Sequence, residues 1–80
     1  MSQASYLAKA ALARGDLIAA YDITVSAIAA GDSSSAIRHQ QVLALARMGD
    51  TDRAMEKFLA YDLKSSPHAH ERAVGARLLK

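Results

Sequence analysis

His68 and His70 stand two residues apart, and with His39 they complete the histidines of an 80-residue chain. Two histidines on a helix chelate one ion when they are four residues apart; at a separation of two they point about 200° away from each other. They are expected to be solvated or capping side chains, and no metal site is expected. Asp50, Asp52 and Glu56 form no carboxylate cluster with them. Asp52 and Glu56 are like charges at i, i+4, and Arg53 and Lys57 beside them make that stretch read as a solvated face. The chain has no Cys, no Gly-x-Ser-x-Gly elbow and no Gly-rich phosphate loop, so neither an activated nucleophile nor a nucleotide cradle is visible. No catalytic residue and no cofactor is expected. Tyr21, Phe58 and Tyr61 are expected to be packing residues, because a base-stacking platform needs exposed aromatics interleaved with Arg or Lys.

Arg14-Gly15-Asp16 is the tripeptide that adhesion ligands display to integrins. Such ligands carry it on a long exposed loop of a secreted protein, usually one braced by disulfides, and a chain without Cys lacks those braces. The same three residues also suit a turn between two helices. Gly closes a helix in the left-handed conformation and Asp caps the next one. The pair recurs as Gly31-Asp32 and Gly49-Asp50, each after an Ala- and Leu-rich stretch. A further break falls at Lys64-Ser65-Ser66-Pro67, where Ser66 suits a cap and Pro67 a first helical position. Five helices are expected, at about 3–14, 16–30, 34–48, 50–63 and 67–80.

Composition and spacing agree with that division. Hydrophobic residues make up 51% of the chain, and strong helix formers fill the stretches between the breaks. Leu17, Ala20, Tyr21, Thr24, Ala27 and Ile28 recur at intervals of three and four, as do Ala54, Met55, Phe58, Leu59 and Tyr61. No stretch alternates apolar and polar residues as a half-buried strand would. The expected fold is all-α, one domain of antiparallel helix pairs. No apolar run is long enough for a membrane span, and residues 1–10 lack the basic head and apolar core of a secretory signal. A cytoplasmic location is therefore expected. Ten basic against eight acidic residues leave a net charge of +2, too small to argue nucleic-acid binding by itself.

Gly15-Asp16 and Gly49-Asp50 lie one 34-residue interval apart, with Ala20 and Ala54 each four residues past the Asp. With this period the chain resembles the tetratricopeptide repeat family. Leu7, Ala8 and Ala11 match the large, small and packing places of a first helix, and Ala20 and Ala27 the small places of a second. Leu45, Ala54 and Phe58 match in the next copy. Thr24 stands where the family has an aromatic, Asp32 where it has a closing Pro, and Gln41 and Val42 replace the large-small pair. The repeats are degenerate, at about 1–34 and 35–68, with 69–80 resembling the first helix of a third. The resemblance implies a short α-solenoid whose first helices line a groove for a partner peptide or helix. Carried over by position, that groove holds Ser5, Lys9, His39, Leu43, Arg47, His70, Ala73 and Arg77. Such a stripe suits an acidic peptide with an apolar anchor at Leu43. The family's carboxylate clamp relies on Asn, and this chain has none.

The expected function is a non-catalytic protein-interaction module of this type, similar to helical regions of larger bacterial multidomain proteins. Val74, Leu78 and Leu79 are expected to form an uncovered apolar end, available to a continuing chain or to a second copy as a homodimer. The alternative is a small helical DNA-binding protein that reaches a groove with Arg38, His39, Gln40 and Gln41, or with Arg72, Arg77 and Lys80. Acidic residues close to nearly every basic one count against that alternative.

Overall fold

The computed structural model describes residues 3–78. They form five α-helices, α1 (Gln3–Ala13), α2 (Leu17–Ala29), α3 (Ser35–Arg47), α4 (Thr51–Ala60) and α5 (Ala69–Leu78), with one 3₁₀ turn at Leu63–Ser65 before the last. No strand occurs among the described residues. Each helix packs on the next, and α1, α3 and α5 also pack on one another in series.

The three Gly-Asp pairs close helices in the same way. Asp16 N–H donates to the Ala11 carbonyl at 2.9 Å and Gly15 N–H to Leu12 at 3.1 Å, the paired bonds of a Schellman turn; Asp50 to Leu45 and Gly49 to Ala46 repeat it. Gly15 (φ +78°) and Gly49 (φ +87°) are left-handed, a conformation in which a Cβ is strained. Asp16 and Asp50 then accept from the backbone N–H of Ala19 and Arg53 and so cap α2 and α4. Arg14-Gly15-Asp16 is thus the α1–α2 turn, with the Arg14 guanidinium 3.7 Å from the Asp16 carboxylate. The middle joint differs from expectation. Asp32 accepts from Ser34 N–H within the turn, and Ser34 caps α3 by accepting from Ile37 N–H.

Two apolar clusters make the core. Ala11, Leu12, Ala20 and Ala44 join α1, α2 and α3; Val42, Leu45, Ala54, Phe58, Leu63 and Val74 join α3, α4 and α5. The small places carried over to Ala8, Ala20, Ala27 and Ala54 and the packing place at Ala11 are all buried, as is Thr24, whose hydroxyl donates to the Tyr21 carbonyl at 2.7 Å. Leu7, expected as a large packing residue, is exposed.

Two boundaries, one cap and one surface depart from the expectations. The fourth helix stops at Ala60 rather than near 63, because Asp62 turns left-handed (φ +54°) and the chain drops Leu63 into the core. The fifth begins at Ala69, two residues late. Ser66 does not take the cap position: its hydroxyl accepts from His68 N–H and donates to Glu71, and the His68 carbonyl accepts the first bonds of the helix, from Glu71 and Arg72. Val74 is not on an open end. It is 3% exposed and packs with Phe58 and Leu45, Leu78 is half-buried against the same cluster, and Leu79 lies outside the described residues. Large exposed apolar side chains sit instead mainly on α1 and α2, at Tyr6, Leu7, Ile18 (70% exposed) and Val25. No helix among the described residues is long and apolar enough to cross a membrane.

Candidate functional site

Serial packing of α1, α3 and α5 leaves a trough along their shared face. Its larger part is a cleft of about 510 Å³. From α1 it takes Ser5, Lys9, Leu12 and Ala13; from α3, Ala36, His39, Gln40, Leu43 and Arg47; from α5, His70 and Glu71. A second cleft of about 300 Å³ lies beyond it, shares Leu43 and Arg47 with the first, and adds Ala46, Thr51, Val74, Arg77 and Leu78. The structure therefore brings Ser5, Lys9, His39, Leu43, Arg47 and His70 to one cleft and Arg77 to its extension. Ala73 lines neither.

Charge is sorted between helices. The trough helices α1, α3 and α5 carry Lys9, Arg38, Arg47, Arg72 and Arg77 against a single carboxylate, Glu71, whereas α2 and α4 carry Asp22, Asp52 and Glu56 against Arg53 and Lys57. Lys9, Arg47 and Arg77 form no ion pair among the described residues. Arg38 is turned away, with its guanidinium over the Tyr61 ring, and Arg72 donates to the Ser66 carbonyl.

Glu71 anchors the α3–α5 wall. It is 2% exposed, accepts from the Ser66 hydroxyl at 2.5 Å and from the Ser35 hydroxyl at 3.4 Å, and lies 3.8 Å from His70 Nε2. Both hydroxyl protons are committed to the carboxylate. Above it the His39 and His70 rings meet edge to face, 5.2 Å between centroids, and His68 continues the row at 5.7 Å from His70. His39 is 8% exposed, and its Nδ1 is buried without a partner. Burial pushes its imidazole below the ordinary value of 6.5; Glu71 opposes that shift, while His70, Arg77 and Arg47 add to it. Gln40 donates to the Ser5 carbonyl at 3.1 Å and so ties α1 to α3. Among the described residues, no group of three or more His, Asp or Glu side chains could hold a metal ion.

Of the residues offered for reading DNA, those on α3 are buried or engaged. His39, Gln40 and Gln41 are buried, Gln41 accepts the Tyr61 hydroxyl, and Arg38 is held over Tyr61. Arg72 is bonded to the backbone, Arg77 faces the second cleft, and Lys80 lies outside the described residues.

Glu71 and Gln40 were missed as wall residues. A signal for Glu71 existed, because 71, 74, 75 and 78 are spaced as one helical face and the last of them are apolar or Gly. Nothing local marks Gln40, whose burial depends on Ser5 arriving from another helix. Compared with protein-family models, with curated proteins and with solved structures, the chain matches none.

Proposed function

We propose that the chain is a non-catalytic protein-interaction module of the tetratricopeptide type, which takes an acidic peptide or helix into the α1–α3–α5 trough. The observation that carries this reading is the trough's composition. Leu12, Ala13, Ala36 and Leu43 supply an apolar lining for one inserted side chain, and Lys9, Arg47 and Arg77 stand around it without an ion-pair partner among the described residues. Unpaired cations beside a concave apolar lining favour a ligand that combines carboxylates with an apolar anchor. The 34-residue interval between capped turns and the buried small residues support the repeat-type reading. A chain without Cys is suited to the reducing cytoplasm.

The test is fluorescence anisotropy with a labelled peptide of alternating Leu and Glu, its Leu and Lys counterpart, and a short DNA duplex. The acidic peptide should bind, the basic one should not, and Arg47→Gln should weaken the acidic complex by about tenfold, the loss of one favourable charge contact. Equal binding of both peptides, or tighter binding of the duplex, would remove the reading.

A further inference from the structure

The α3–α5 wall holds an arrangement that peptide capture alone does not need. His39 is almost wholly inside, lines the larger cleft, and touches a second imidazole edge to face, while its Nδ1 has no hydrogen-bond partner among the described residues. Histidine is the side chain whose charge changes near neutral pH. Around His39 stand, from α5, His70, Glu71 and Arg77; from α3 itself, Arg47; from α1, Lys9 across the cleft. Neither α2 nor α4 contributes a lining residue to that cleft. The one carboxylate, Glu71, is already shared among Ser66, Ser35 and His70. In the free protein an imidazolium at His39 would therefore meet three cations and one occupied anion, with an Nδ1–H that has no acceptor.

We infer that His39 couples ligand capture to proton uptake: an acidic peptide lying in the cleft supplies the counter-charge that the free protein lacks, and a proton enters at His39 as the peptide binds. The inference rests on the acidic-peptide reading above. Linkage makes the effect reciprocal, so that a protein that takes up a proton on binding binds more tightly as pH falls. Desolvation by the peptide acts in the opposite direction, and a ligand that only buried the ring would release a proton instead. The sign of the exchange thus separates the two cases.

The experiment uses the full chain and the same Leu and Glu peptide, titrated by calorimetry in two buffers of different ionisation enthalpy, between about pH 8 and pH 5.5, a range in which imidazole titrates and the peptide's Glu side chains stay largely ionised. Uptake of up to one proton is expected, with affinity rising about threefold to tenfold from the top of the range to the bottom. His39→Gln should reduce the uptake and the pH dependence, and His68→Gln should leave both in place. Because His39→Gln touches the core, the wild-type imidazole resonances are also followed by NMR, where the His39 titration should move to higher pH when peptide is present. Proton release, an unmoved His39 titration, or full uptake retained in a folded His39→Gln protein would overturn the inference. A pH-independent complex would refute it and leave the peptide reading standing, whereas no complex at any pH would remove both.

Discussion

Gly75 on α5 presents its bare backbone to the ring of Phe58 on α4, so closely that a Cβ built on it would lie 2.5 Å from the ring Cζ and 2.6 Å from Cε2. Phe58 is in the core, 4% exposed, and a ring is a stiff neighbour rather than the far end of a flexible side chain. Gly75→Ala should gain up to about 1 kcal/mol of helix propensity and lose about 1–3 kcal/mol to overpacking. The net expectation is destabilisation, read as a lower urea midpoint. Adding Phe58→Leu should recover part of it, because the two changes share one contact. A stabilised Gly75→Ala protein would show that the helices are not this close.

The α1–α2 and α3–α4 turns predict unequal effects for neighbouring charges. Asp50→Ala removes the acceptor that caps α4 and should cost about 1 kcal/mol. Arg14→Ala removes only an ion pair whose side chains are 58% and 49% exposed, and should change stability by less than about 0.5 kcal/mol. Chemical denaturation of both variants checks the contrast.

Glu71 should be the most sensitive polar position. Its loss leaves the Ser66 and Ser35 hydroxyls short of their acceptor in a closed wall, and Glu71→Ala is expected to cost about 2–3 kcal/mol. The start of α5 should lose protection first, which amide hydrogen exchange resolves residue by residue. Uniform loss across all helices would argue that the wall is not a separate joint.

Acid should weaken the unliganded fold. The folded-state pKa of His39 lies below its unfolded value of about 6.5, so between the two the unfolded chain binds more protons and stability rises with pH. The contribution is complete well above about pH 6.5 and is lost as pH falls through that value towards the folded pKa. Thermal melts should therefore be level at alkaline pH and decline on acidification, and His39→Gln should flatten the decline. A wild-type melting temperature that rises on acidification would contradict the burial of His39.

Much of this architecture was legible because it is local. Gly15, Gly49, Asp16 and Asp50 lie within a few residues of the helix ends they close, so turn chemistry alone located two joints. The stripe from Lys9 through His39, Leu43 and Arg47 to His70 was what the resemblance to the repeat family implied, and these residues line one cleft. What failed depends on distant contacts. The fourth helix overran because Leu63 continues an apolar pattern, and only the need to fill the core beside Phe58 and Val74 makes the chain turn at Asp62. Val74 looked uncovered because the face it packs against, on α3 and α4, lies far away in the sequence. The burial of His39 and Gln40 likewise depends on α5 and α1 docking onto α3.

The sorting of charge between trough helices and outer helices has a consequence before any contact is made. Lys9, Arg47 and Arg77 line the trough while α2 and α4 carry three carboxylates against two cations, so the trough is a local positive pole of the molecule. At separations within the Debye length, about 8 Å at physiological salt, its field turns an arriving anion toward that pole and raises the share of collisions that begin in the right orientation. Added salt should then slow the encounter while leaving the lifetime of a formed complex nearly unchanged.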